Sequence, residues 1–396
     1  MVGVATAAPG GGGGKRDDFD PLALAAGGSL AARSFQTPRR TFTPLPLMRL
    51  RFSLVFFLGF VVAASAVRGA EPLRDIVFGS CIRKVDHPML ERTLTLPMDL
   101  FLFMGDNIYA DTEDMAVMRA KYEALKGSRF FQGLRSRVPM LATWDDHDFG
   151  VNDGGADYPK RREAQAEFLR WLDEPAGSPR WRREGVYDAH IFGPAGKRVQ
   201  IILLDTRFFR SRLKRVENAS EKRIGGPYVP NLDPTATLLG EAQWAWLKEQ
   251  LRAPAEVRLI VSSIQFVAEF AGSEAWANLP REKARMLDLI RDVKANGVLF
   301  VSGDRHWSEL SRLPGPLGYP IYDLTASALT EPHPRGTPTE NKYRALPVTY
   351  HDVNVGHMRI DWEATDPRLT WKIIDVAGTA RIEHSLRLSE LQAQSR

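Results

Sequence analysis

Residues 99–109 read DLFLFMGDNIY. The apolar residues run without alternation, which fits a strand covered on both faces. Gly105 permits a tight turn where the run ends. An acid, an amide and a phenol follow at Asp106, Asn107 and Tyr109. In open α/β sheets, ligands bind beyond the carboxyl ends of strands, so this turn is a candidate site.

The same pattern recurs along the chain. Ile76–Phe78 leads into Gly79-Ser80-Cys81, and Val138–Trp144 leads into Asp145-Asp146-His147-Asp148. Gly297–Val301 leads into Ser302-Gly303-Asp304-Arg305-His306, and Val199–Leu204 and Val257–Ile264 add two further apolar runs. Between them lie helical patterns at Lys160–Leu172, Gly240–Leu251 and Arg281–Ala295. In the first of these Ala164, Phe168, Trp171 and Leu172 share one face. Strands alternating with helices predict an α/β fold built from crossover units. Ile321–Leu324, Gly356–Trp362 and Thr370–Ile374 are expected as late strands completing a two-sheet core. Residues 213–234 and 331–338 read as loops that could cover a site, and the last dozen residues are expected at the periphery.

The four polar turns should converge, and their donors suggest why. Asp145, Asp146 and Asp148 around His147 are costly to pack unless a cation neutralises them. Read alone, DDHD fits a solvated loop or a helix cap, and a lone cysteine fits an apolar core. Carboxylates and an amide suit hard cations. A thiolate and a phenolate suit a transition ion, and both must lose a proton to bind it. Taken together, the turns suggest one iron-like centre and one or more oxygen-ligated cations, with Asp106 as the natural bridge. Clustered cations bind phosphoryl oxygens and acidify bound water.

Composition narrows the remaining classes. Apolar content of 44% and charged content of 26% are ordinary for a globular protein. Residues 1–66 hold seven Lys/Arg and three Asp/Glu of a chain with net charge +5, so the remainder is nearly neutral. No nucleic-acid partner is expected. Residues 1–47 are low-complexity and rich in Gly, Ala and Pro, and cannot bury a core. Residues 48–66 read as a secretory signal peptide: Arg49 and Arg51, the apolar run Phe52–Val62, then Ala64-Ser65-Ala66. Arg39-Arg40-Thr41-Phe42 also fits a twin-arginine signal, although the general secretory route is preferred. Export to a periplasm, cell surface or medium is therefore expected, with no membrane span once the signal is removed. Cys81 is the only cysteine, so no internal disulfide forms.

GSC, GDNIY, WDDHD with Asn152-Asp153, LLDTR, VSSIQF, SGDRH and the helix GEAQWAWL closely resemble the alkaline phosphatase D (PhoD) family of metallophosphatases. The resemblance covers roughly residues 74–375 and places a single catalytic domain at 72–385. It implies a two-sheet α/β metallophosphatase sandwich flanked by helices, holding Fe3+ and Ca2+. It also implies hydrolysis of small phosphate mono- and/or diesters by a metal-bound hydroxide or oxide. Carried over by motif, Cys81, Asp106, Tyr109, Asp304 and His306 hold metal, with Asp145 and Asp146 completing the calcium ligands. Asn107, His147 and Arg305 are the catalytic candidates. Ordinary calcineurin-like phosphatases open with Asp-x-His and carry Gly-His-x-His; Gly-Ser-Cys and Gln265 here favour the PhoD branch. The amino-terminal β-domain of many relatives is not expected, since Pro72 follows the leader closely. Asp205 and Arg207 are expected as a structural pair under the site, and Trp307 as a pocket flank. His87, His190, His333, His351, His357 and His384 lack motif context. Two alternatives stay open: a covalent hydrolase using Ser80 or Cys81 with His147 as base, and an exported calcium- or phosphate-binding module without turnover. Nothing in the sequence fixes the oligomeric state.

Overall fold

The computed structural model describes residues 71–216, 226–269, 272–333 and 341–393. The low-complexity leader, both export signals and parts of both covering loops lie outside the described residues. In chain order the strands are β1 (Asp75–Gly79), β2 (Leu100–Met104), β3 (Met140–Thr143), β4 (Asp188–Phe192), β5 (Val199–Leu203) and β6 (Val257–Ser262). They continue with β7 (Val298–Ser302), β8 (Ser308–Leu313), β9 (Ile321–Ala326), β10 (Asn354–Asp361), β11 (Arg368–Asp375) and β12 (Ala380–Arg387). The helices are α1 (Pro88–Leu94), α2 (Met115–Gly127), α3 (Arg129–Arg135), α4 (Asp146–Phe149), α5 (Arg161–Trp171), α6 (Gly240–Arg252) and α7 (Pro280–Asp292).

Two six-stranded sheets result, in the orders β12-β11-β10-β1-β2-β3 and β4-β5-β6-β7-β9-β8. β1, β2 and β3 run parallel, as do β5, β6, β7 and β9. Antiparallel strands flank each parallel block. The opening stretch explains the layering. Phe101 and Phe103 pack on one side with Met89, Met118, Phe130, Phe168 and Trp171 of the helices. Leu100, Leu102 and Met104 join instead the cluster that runs through the second sheet, with Ile201, Leu259 and Phe300. Both faces are covered, as a run without alternation requires. Phe103 meets Phe101 and Trp171 edge-on at centroid distances of 4.7 and 5.3 Å. Each such ring contributes roughly 1.5–3 kcal/mol of burial.

The apolar strands fall where the sequence places them, within a residue or two at each end. β4, β8 and β12 were not anticipated, because they carry polar or half-buried residues instead of apolar runs. The chain terminus needs correction as well. Leu388 and Leu391 are buried, and Gly297 donates its N–H to the Leu391 carbonyl at 2.8 Å, so the tail to Leu391 belongs to the core. Among the described residues no helix is long and apolar enough to cross a membrane.

Candidate metal centre

The parallel strands of both sheets deliver their carboxyl ends to one place. The turn after β1 bonds to the turn after β2, Ile82 N–H to Asp106 C=O at 2.8 Å. Ser80 bridges to Ser327 after β9, and Gly303 N–H reaches Ser263 C=O at 2.9 Å. Two glycines allow this closeness. A Cβ on Gly105, whose φ is +103°, would stand 2.5 Å from Asp145 Cβ; one on Gly303 would stand 2.5 Å from Ser80 Oγ. Four candidate ligands are themselves held in the left-handed region: Cys81, Asp106, Asp304 and His306, with φ between 50° and 67°. Such conformations cost about 1–2 kcal/mol per residue and persist where the surroundings enforce them.

Around Asp106 the side chains meet directly. Cys81 Sγ lies 3.4 Å from Asp106 Oδ2 and 3.1 Å from Ser327 Oγ. Tyr109 donates to Asp106 Oδ2 at 3.3 Å, and its hydroxyl lies 3.2 Å from His306 Nε2. Three sets of ligand atoms each fall within 4.8 Å of one another: Cys81, Asp106 and His306; Asp106, Asp146 and His147; Asp145, Asp146 and Asp304. All the metal candidates named from sequence are therefore brought together.

Electrostatics test whether cations fit. Carboxylates at such spacing repel by roughly 3–4 kcal/mol per pair at an effective dielectric near 20. Burial, then the neighbouring Cys81 and acids, holds the Asp106 carboxyl well above its ordinary range. Asp145 is likewise raised by burial, against the pull of Arg207. Burial carries Asp304 to about 7, and with Cys81 and Asp106 it pushes the Tyr109 phenol well up. Burial opposes ionisation of Asp146 too, yet Arg207 and His147 outweigh it and leave that group at about 2. Asp106 Oδ1, Asn107 Oδ1 and Asp145 Oδ2 are buried with no hydrogen-bond partner among the described residues. Acceptor oxygens left bare among like charges are what bound cations require. The residues fit a metal centre.

Other parts of the site differ from the sequence reading. Asp148 does not face the cluster. Its carboxylate accepts N–H groups from Asp145 at 2.6 Å, Asp106 at 3.2 Å and Asn107 at 3.1 Å, and the Asn107 side-chain amide at 2.5 Å. It is a clamp between the β2 and β3 turns, satisfied by donors instead of a cation. Asp205 and Arg207 are not a side-chain pair. Asp205 accepts the backbone N–H groups of Arg207 and Phe208 at 2.9 Å, while the Arg207 guanidinium pairs with Asp145 and Glu274. Glu274 also pairs with Arg210 at 3.1 Å. The acidic trio Asp146, Asp153 and Glu274 thus already has two guanidiniums against it.

His147 is held by Asp111 through Nδ1 at 2.8 Å, a partner no motif announced. Burial lowers its pKa, but Asp111 and Asp146 prevail and lift it to about 9. Burial lowers His306. Arg305 lies 4.3 Å over the buried ring of Trp307 and 3.6 Å from Asp304. Among the histidines without motif context, His357 bonds Asp75 at 2.8 Å and His87 caps α1.

A family model described as PhoD-like phosphatase matches residues 85–384. The chain belongs to the PhoD-like phosphatase family. Alkaline phosphatase D of Bacillus subtilis (strain 168) is 22% identical over 264 residues, 54% of this chain and 42% of that protein. The chain thus matches less than half the length of that relative. Among solved structures, PhoD superposes with a TM-score of 0.65 at 16% identity, covering 83% of this chain and 72% of that one. GAP50, the anchor in the inner membrane complex of Plasmodium, gives 0.50 at 13% identity, over 82% and 90%. Both show a shared fold. PhoD-like phosphatases are metal-dependent phosphoesterases, and the two-sheet sandwich flanked by helices expected from the motifs is the architecture found.

Proposed function

We propose that this chain is an exported phosphoesterase that hydrolyses small phosphate mono- and/or diesters at a mixed Fe3+ and Ca2+ centre. The observation that carries this reading is the convergence of Cys81, Asp106, Tyr109 and His306 beside Asp145, Asp146 and Asp304, with three buried acceptor oxygens left bare. Cys81, Tyr109, Asp106 and His306 would hold the iron, their thiolate and phenolate suiting a trivalent ion. Asp145, Asp146 and Asp304 would hold calcium, and Asp106, common to two of the ligand groups, would be shared. Bound ions supply Lewis acidity at phosphorus and a water acidified toward neutral pH. The chain supplies the rest. Asn107 commits its amide N–H groups to Thr143 and Asp148, so its free carbonyl oxygen serves a cation better than a phosphoryl group. His147, held by Asp111 through Nδ1, would donate from its other ring nitrogen to a phosphoryl or leaving oxygen. Arg305 is assigned to the phosphoryl oxygens.

Hydrolysis of p-nitrophenyl phosphate and of its bis-ester, before and after chelation, tests the reading. Loss of turnover on metal removal and its return on reloading are expected; full activity in the stripped protein would overturn it. The covalent alternative has weaker support. Among the described residues no hydrogen bond joins His147 to Cys81 or Ser80, and Cys81 Sγ contacts Asp106 and Ser327 instead. The leader carries the proposal of export, which amino-terminal sequencing of the mature protein checks.

A further inference from the structure

Arg83 lies two residues beyond Cys81, on the turn that presents the thiol. Thr330 Oγ1 pins that turn, accepting the N–H groups of Arg83 at 2.8 Å and Lys84 at 3.0 Å. The guanidinium carbon stands 4.2 Å from the ring centroid of Tyr109. The hydroxyl of that ring touches Asp106 and His306. Arg83 therefore stands over the ring whose hydroxyl meets the candidate metal ligands. Its carboxylate partner is Glu331, at 3.1 Å, which belongs to the segment crossing from β9.

The other cations near the centre are more deeply engaged. Arg207 and Arg210 are buried and paired with Asp145 and Glu274. His147 and Arg305, assigned above to the phosphoryl group, are anchored by Asp111 and by the Trp307 ring, and Arg83 would add to them. Arg83 and Glu331 differ in exposure: their side chains are 48% and 29% accessible. An ion pair that wet holds weakly, and exchanging its anion costs little. A guanidinium offers a planar fork that matches two phosphoryl oxygens.

We propose that Arg83 is a substrate-binding residue that takes the non-bridging oxygens of a phosphoryl group at the metal centre, in exchange for Glu331. This rests on the phosphoesterase reading and names a specificity element within it. A monoester dianion presents one more charged oxygen than a diester, so Arg83 favours monoesters. Glu331 is the resident competitor, and its carboxylate opposes anion entry.

The test uses the metal-loaded full chain with p-nitrophenyl phosphate, its bis-ester, and inorganic phosphate binding by calorimetry. Arg83→Ala should raise the monoester KM by on the order of tenfold or more, as expected for losing a charge-assisted contact. The bis-ester KM should rise less, kcat should change little for either, and phosphate should bind correspondingly more weakly. Arg83→Lys should restore part of the loss, and Glu331→Gln should lower the monoester KM. An unchanged KM and phosphate affinity in Arg83→Ala would overturn the proposal. So would a fall in kcat at unchanged KM accompanied by lost metal, which would make Arg83 a support for Tyr109. If Arg83→Ala does not fold, Glu331→Gln decides: an unchanged or raised KM contradicts the exchange. Should the wild type turn over neither ester while phosphate binding still depends on Arg83, the phosphoesterase reading fails and the anion site stands.

Discussion

At the scale of single residues, the same acidic motif divides into opposite tasks. Asp145 and Asp146 point into a crowd of carboxylates, whereas Asp148 turns back and gathers four donors from two turns. Replacing Asp148 by Ala leaves those buried donors unpaired, and the expected loss of stability is about 3 kcal/mol or more. Chemical denaturation of the metal-loaded protein measures it, with Asp148→Asn intermediate because one acceptor oxygen remains. An undiminished unfolding free energy would refute the clamp. A separate residue gives a pH signature away from the centre. Lys283 is half-buried, donates to the Val267 carbonyl at 2.8 Å, and has its pKa lowered by desolvation to about 8. Between pH 8 and about 10.5 the unfolded chain binds more protons at this group than the folded one, so its contribution to stability rises with pH there. Below pH 8 the charged ammonium carries the full burial penalty. Lys283→Met should therefore gain stability relative to wild type at pH 7 and lose that gain by about pH 10.5. A stability difference flat across that window would contradict the burial argument.

Elements are where the sequence was most readable. Runs such as Leu100–Met104 and Val298–Ser302 announce themselves because both faces are covered, and their polar ends mark the site. α5 and α6 were visible through periodicity. β4, β8 and β12 were not, since strands with solvent or polar partners on one side lose the apolar run. The candidate ligands were legible because each follows a strand directly. Asp111, Glu274 and Arg210 were illegible: their partners lie far along the chain, and no local pattern records such pairing. The turns themselves are testable. Gly105→Ala would force a side chain against Asp145 at a backbone angle that disfavours any Cβ. The expected result is loss of metal and activity with a destabilisation of about 2 kcal/mol or more, read by metal content and denaturation. Wild-type metal content in that variant would show that the two turns do not depend on their close contact.

Across the whole molecule, two sheets face their parallel strand ends toward one edge, and the strained left-handed ligands collect there. Such a centre is unfavourable without its ions, because buried acids repel and bare oxygens lack partners. Metal binding should then stabilise the entire domain by mass action, about 3 kcal/mol at a hundredfold excess over the dissociation constant. Stripping the ions should lower the thermal midpoint by on the order of 5 °C, measured by calorimetry on stripped and reloaded protein. Coincident midpoints would show that the cluster holds itself together without cations.

The central claim is that the thiol, the phenol and the acids grip metal. The most direct measurement is the metal content of the purified protein by emission spectrometry, taken with its visible spectrum and those of Tyr109→Phe and Cys81→Ser. The account predicts iron together with calcium in the wild type, a phenolate-to-iron absorption band, and loss of that band in Tyr109→Phe. A colourless, metal-free protein that still cleaves phosphate esters at full rate would contradict it.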